Sequence, residues 1–145
     1  MDQIDWLLLE ALQKDARLSF AELARRAGMS APSVTERVKR LEDAGVISGY
    51  HARVNSGELG RSLQVFIRLS MPGRDYSRLR RFLAGASEIA ECHHVSGEEA
   101  FLIRAAVASV ADLEKLIGKL SGFGHTTTSL VLSTFLEHRV WTREA

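Results

Sequence analysis

The strongest constraint on this chain lies between Ser19 and Arg40, in SFAELARRAGMSAPSVTERVKR, where two helix starts are separated by one glycine. Ser19 followed by Glu22 has the spacing of a capping box, in which a hydroxyl and a carboxylate satisfy amide donors that a first helical turn leaves unpaired. A helix is therefore expected from about Phe20, with Leu23, Ala24 and Ala27 on one side. Gly28 stands where helices commonly end in a left-handed residue. Ser30 is a second N-cap, and Pro32 falls in the first turn after it, where a missing amide proton costs nothing. In the second helix Val34, Val38 and Leu41 repeat at four and then three, which leaves Ser33, Glu36, Arg37, Lys39 and Arg40 facing outward. The unit reads as a helix-turn-helix. Such motifs lay the start of their second helix in the major groove of DNA, a task that small polar side chains followed by arginines suit. The same spacing also describes an amphipathic helix with a solvated charged face.

Charge distribution adds to the motif. The net charge of the 145 residues is only +1, but between residues 17 and 40 Arg17, Arg25, Arg26, Arg37, Lys39 and Arg40 face only Glu22 and Glu36. On this reading Ser33, Glu36, Arg37 and Arg40 face the groove of double-stranded DNA, Arg25, Arg26 and Lys39 lie mostly on phosphate, and Ser30 completes the contact set. No apolar run approaches the roughly 18 residues of a membrane span. The amino end, MDQIDWLLLEAL, is acidic where a secretory signal is basic, and Cys92 is the single cysteine. A cytoplasmic protein without disulfides or membrane contact is expected.

Before the motif, Asp2 caps a helix to about Asp15 with Ile4, Leu7, Leu8, Ala11 and Leu12 on one face. Trp6 and Leu9 fall off that stripe and suit a second surface, such as a partner chain. After it, Gly45 ends the helix and VISGYHARVN is β-prone but interrupted by Gly49. A strand there is either the wing of a winged helix-turn-helix or a link that pairs with another chain. Polar turn formers in NSGELG mark a boundary, so residues 1–54 form the first domain and 55–61 the linker.

Residues 62–71 alternate Leu63, Val65, Ile67, Leu69 and Met71 against Gln64, Phe66, Arg68 and Ser70, the period of a strand, ended by Pro72 and Gly73. A charged helix over about 75–84, strands over 89–96 and 101–107 about Gly97, a helix opened by Ser109 and Asp112, and a strand over about 126–136 follow. The order β, α, β, β, α, β is the ferredoxin-like arrangement, with two helices on one face of a four-stranded antiparallel sheet. The fold class is therefore α+β, with a second domain over 62–138 and a tail over 139–145. In the last strand Leu130, Leu132 and Leu136 and the alternate Val131 and Phe135 are all apolar, so the uncovered face is expected to pair with a second copy of the chain.

Enzymatic chemistry finds little support. Cys92, His93 and His94 are residue types that hold metals, but successive strand residues point to opposite faces, so at most Cys92 and His94 share a side. His51 and His138 have no motif around them, and no phosphate loop, nucleophile elbow or triad pattern appears. No catalytic residue, metal site or cofactor is assigned.

Along nearly its whole length the chain resembles the Lrp/AsnC (leucine-responsive, feast/famine) family of transcriptional regulators. IDWLLLEALQKDARLSFAELARRAGMS and SVTERVKRLEDAGVISGY resemble the family's DNA-binding half, and ECHHVSG and TTTSLVL its effector-binding, dimer-forming half. The resemblance implies a winged helix-turn-helix, a ferredoxin-like domain that forms homodimers and octamers, action on metabolic genes, and a small-molecule site, commonly for an amino acid, between subunits. It places that site at Gly97, Glu98, Glu99 and Ala100, completed by His125, Thr126 and Thr128. Where such regulators often read glycine, aspartate, aromatic, aspartate, this chain reads Gly97, Glu98, Glu99, Ala100. A side-chain partner for a ligand ammonium would then have to be Glu98 or Glu99. The alternative is an enzyme on the same architecture, since sirohaem decarboxylases resemble this family, with His93, His94, Arg68 and Arg104 meeting tetrapyrrole carboxylates.

Overall fold

The computed structural model describes residues 1–72, 75–97 and 101–143, in two compact units: residues 1–53 with the C-terminal segment from Leu136, and residues 54–135. In the first unit the helices are α1 (Gln3–Lys14), α2 (Phe20–Ala27) and α3 (Ala31–Asp43). Each begins at a short polar side chain that accepts from an otherwise unpaired amide of the first turn. The complete reciprocal box is at α1, where Asp5 N–H donates to Asp2 Oδ1 at 2.9 Å and Asp2 N–H donates to Asp5 Oδ2 at 3.0 Å.

The box expected at Ser19 is only half made. Glu22 N–H donates to Ser19 Oγ at 3.2 Å, but the Glu22 carboxylate turns to Arg25 and Arg26. Charge-assisted bonds are the stronger ones, and the two arginines supply three of them. Gly28 then closes α2 at φ 63°, a left-handed conformation that glycine adopts without steric cost. Leu8, Leu23, Val34 and Val38, all within 1 % of full burial, form the three-helix core with Ala11 and Ala24.

Two features of this unit differ from the sequence reading. Leu7 is exposed while Leu9 is buried, the reverse of the expected stripe. Gln13, one turn beyond Leu9 on the same side, clasps the C-terminal segment: its Nε2 donates to Trp141 O at 2.9 Å and Trp141 N–H donates to its Oε1 at 2.8 Å. The tail thus runs along the Leu9 side of α1. Second, VISGYHARVN forms no strand within the single chain. Ile47 packs against the helical core, and the Tyr50 hydroxyl donates to Glu42 Oε1 at 2.8 Å. Burial and that carboxylate push the Tyr50 phenol up to about 12, so it remains a donor.

The second unit contains β1 (Leu63–Ser70), α4 (Tyr76–Gly85), β2 (Ile89–His94), β3 (Phe101–Val107), α5 (Val110–Ser121) and β4 (His125–Leu130). The strands form one antiparallel sheet in the order β2-β3-β1-β4. Alternation puts Val65, Ile67 and Leu69 of β1 and Ile103, Ala105 and Val107 of β3 under Leu79 of α4 and Leu116 and Leu120 of α5, all buried. This is the α+β, ferredoxin-like arrangement of two helices on one face. Gly124 is obligatory before β4, since a Cβ there would sit 2.0 Å from the Ser70 carbonyl oxygen.

The last strand is shorter than its apolar run. Leu130 pairs with Val65, and after it a single further bond, Val131 N–H to Gln64 O at 2.9 Å, ends the ladder. Leu132, Phe135 and Leu136 therefore lie outside the sheet and are exposed. Register puts Gln64, Phe66, Arg68, Leu102, Arg104, Ala106, Thr127 and Ser129 on the open face, a mixed surface in which Glu91 pairs with Arg104. Of the alternate residues Val131 and Phe135 expected on that face, Val131 lies opposite Gln64 at the end of the ladder and Phe135 lies beyond the strand. Among the described residues no helix is long and apolar enough to cross a membrane.

Candidate nucleic-acid interface

The faces of α3 follow from its 3.6-residue turn. Val34, Val38 and Leu41 are buried, so the opposite side carries Pro32, Thr35, Glu36, Lys39 and Arg40, all exposed. Glu36, Lys39 and Arg40 stand where the sequence puts them. Thr35, which the apolar repeat did not single out, belongs to the same face, three residues beyond Pro32 and one turn before Lys39. Its hydroxyl donates to Ala31 O at 2.9 Å. Ser30 and Ser33 are engaged at the helix start, where Ser33 N–H donates to Ser30 Oγ at 3.4 Å and the two hydroxyls lie 2.8 Å apart.

Arg37 is not on that face. It falls about 60° from Val34 on the helical wheel, at the flank of the buried stripe, and its Nη1 donates to Asp2 Oδ2 at 2.6 Å and to Asp5 Oδ1 at 2.8 Å. Asp5 is 7 % exposed. The Asp5 amide, and then the Arg37 guanidinium, hold the Asp2 carboxyl below its ordinary value, and the two carboxylates raise the Arg37 guanidinium. Arg37 therefore joins α3 to the N-terminal cap of α1, and its outward placement in the sequence reading is corrected. The sequence shows Asp2 as a cap, but neither the part of Asp5 nor the shared partner of the two.

On α2, Arg25 donates from Nε and Nη2 to Glu22 Oε2 and Oε1 at 3.0 and 2.7 Å, and Arg26 Nε donates to Glu22 Oε1 at 2.9 Å. The two guanidinium groups hold the Glu22 carboxyl at about 2. Both arginines remain on the surface, with side chains 75 % and 42 % exposed.

In the second unit, Leu69 faces Phe101 on one side and Thr126 on the other, so the turn bearing Gly97 and the start of β4 lie at the same end of the sheet. Gly97 has φ 109°. His125 is exposed, whereas Thr126 and Thr128 are half-buried toward the helix layer. Glu98, Glu99 and Ala100 lie outside the described residues. Pairing puts His93 opposite Leu102 on the open face, near Glu91 at 3.3 Å, and His94 opposite Phe101 on the helix face. The two histidines thus point apart. His94 stacks on Phe101 with ring centroids 4.9 Å apart, and Tyr76 meets both rings, an aromatic cluster the sequence did not indicate. Burial pushes the neighbouring Cys92 thiol up. No group of three or more metal-ligating side chains is assembled among the described residues.

Comparison with known proteins adds to this geometry. Residues 1–48 match the sequence model of winged helix-turn-helix DNA-binding domains, and residues 64–141 match that of the Lrp/AsnC ligand binding domain. The HTH-type transcriptional regulator LrpC of Bacillus subtilis is 33% identical over 133 residues, 92% of each chain. Its structure matches with a TM-score of 0.90, covering 95% of this chain and 99% of that one. The leucine-responsive regulatory protein of Salmonella typhimurium is 37% identical over 139 residues, 91% of this chain and 85% of that one. A feast or famine regulatory protein from M. tuberculosis, complexed with L-methionine, matches at 33% identity with a TM-score of 0.87, covering 98% of this chain and 99% of that one.

Proposed function

The chain belongs to the Lrp/AsnC family of transcriptional regulators, and from that membership we propose that it binds double-stranded DNA sequence-specifically through the outer face of α3 and acts in the cytoplasm on metabolic genes. The observation that carries this reading is the row Thr35, Glu36, Lys39 and Arg40, exposed on a helix whose opposite side is fully packed. Ser30 and Ser33 fix the helix start, Arg37 fixes its attitude to α1, and Arg25 and Arg26 supply charge beside it. The DNA-binding role falls to residues 1–54, and dimerisation and effector binding to 62–138, joined by 55–61. Recovery of genomic fragments on the purified protein, followed by binding to a recovered site and to a random duplex of equal length, tests it. Equal affinity for the two would reject sequence-specific recognition.

The chain is not an enzyme, since the relatives it matches are named transcriptional regulators and it carries their DNA-binding domain. The tetrapyrrole-decarboxylase alternative is thereby set aside.

A homodimer that assembles to an octamer, responding to an amino acid, completes the proposal. Support for the dimer comes from Phe66, Leu102 and Ala106, apolar side chains on the sheet face that the helices leave open. Support for the effector comes from the methionine-bound relative. The proposed site is the sheet end bearing Gly97, His125, Thr126 and Thr128, together with Glu98, Glu99 and Ala100. A ligand there acts only through different affinities for two assembly states. Light scattering with and without a panel of amino acids tests both parts.

A further inference from the structure

We infer that Glu22 is an internal competitor for DNA phosphate, which sets the strength and salt dependence of DNA binding by occupying Arg25 and Arg26 in the free protein. The inference rests on the DNA-binding reading above and goes beyond it, since the helix-turn-helix pattern gives the acid on the first motif helix a capping role and no part in DNA binding.

The geometry is specific. Arg25 presents its Nε and Nη2 to the two carboxylate oxygens of Glu22, at 3.0 and 2.7 Å. That pair of donors is the fork with which a guanidinium takes a carboxylate or a phosphate by two parallel bonds. Arg26 adds its Nε to Oε1 of the same carboxylate at 2.9 Å. One acid thus engages both arginines, and the local charge of the three residues is +1 rather than +2. Arg25 is 75 % exposed, so bulk does not shield it from a phosphate. What stands in the way is the carboxylate already in the fork.

The carboxylate also persists. With its acid form reached only near pH 2, Glu22 remains ionised throughout the range in which DNA is bound. A phosphate that takes Arg25 must displace Glu22, and the displaced carboxylate stays beside it as a like charge. Each arginine is therefore worth less on DNA than a free one, equally for any sequence, because phosphate contacts carry no base information.

Glu22→Gln tests this. Glutamine keeps the side-chain length, and Ser19 caps the backbone N–H of residue 22 whatever its side chain. Binding is measured by fluorescence anisotropy on a recovered site and on a random duplex over a series of salt concentrations, with folding checked by circular dichroism. The expected result is a salt slope steeper by about 0.9 for each arginine released, so that over a fourfold rise in salt the gain in affinity shrinks about 3.5-fold per arginine. Specific and random duplexes gain by the same factor. Glu22→Asp, too short to hold both arginines, shows part of the gain. In an Arg25→Ala/Arg26→Ala background the gain vanishes.

Glu114→Gln on the exposed side of α5 changes the net charge equally and serves as the control. A Glu22→Gln response no larger than that of Glu114→Gln, or a gain that survives removal of both arginines, overturns the proposal while leaving DNA binding intact. Absence of any duplex binding by the unaltered protein at low salt overturns the proposal together with the reading beneath it.

Discussion

The Arg37 guanidinium lies 2.8 Å from the carboxylate of Asp5, a residue that is 7 % exposed. The contact ties the middle of α3 to the first turn of α1, and Asp2 joins it at 2.6 Å. Truncating Arg37 leaves a buried carboxylate beside an exposed one with no counter-charge, the costly way to break an ion pair. Arg37→Ala is expected to lower the thermal midpoint by several degrees and to weaken all duplexes alike. Arg40→Ala, on the exposed face, is expected to leave the midpoint unchanged and to cost about 1–3 kcal/mol at one base position. Melting curves and binding to singly substituted duplexes separate the two. Loss of discrimination at one base in Arg37→Ala would return that residue to the reading face.

Acid titration reports the Glu22 pairs. Their arginine partners depress its carboxyl from 4.5 to about 2, so the folded state binds the proton less readily than the unfolded chain. The sign follows: the pairs stabilise the fold fully above the ordinary carboxylate value, and this stabilisation is lost as pH falls toward about 2. The midpoint difference between the unaltered protein and Glu22→Gln should be constant at neutral pH and shrink across that acid window. A difference independent of pH would deny the depressed value.

Gly124→Ala should destabilise the second unit through sterics alone. Its new methyl carbon would lie 2.0 Å from the Ser70 carbonyl oxygen, on the strand that β4 pairs with. Backbone must move, and overpacking of this kind typically costs about 1–3 kcal/mol. Urea denaturation checks it, and Gly118→Ala, which meets nothing within 4 Å inside α5, is the comparison without a clash and should stabilise by about 0.5–1 kcal/mol.

The dimer can be read from mass. The chain is 16.1 kDa, and light scattering of the unaltered protein should return at least twice that value. Phe66 is 39 % exposed on the open face of the sheet, so Phe66→Glu should shift the population toward the single-chain mass while its buried neighbours Val65 and Ile67 keep the fold. An unaltered protein of single-chain mass at micromolar concentration would reject pairing through this face.

What the sequence alone determined about this protein is whatever depends on neighbours along the chain. The Ser19 and Ser30 caps, the left-handed stop at Gly28, the Val34, Val38, Leu41 repeat and the alternation from Leu63 to Leu69 each involve residues within a turn or a few positions, so pattern and chemistry are enough to place them. The family's fold followed from their order. Other features were settled only by packing at a distance. Arg37 finds Asp5 and Asp2 at separations of 32 and 35 residues, and those carboxylates engage a side chain that its helical position puts at the flank of the buried stripe. Leu9 is buried on the side of α1 where Gln13, one turn on, holds a segment from 128 residues away. β4 leaves the sheet after Leu130, opposite Val65, although its own apolar run continues to Leu136. Even Glu22 was undecidable locally, since the Ser19 amide and two guanidinium groups were all within reach. The choice went to the charged partners, because a hydrogen bond between ions is stronger than one to a neutral amide, and only atomic positions reveal which of several competing partners has been taken.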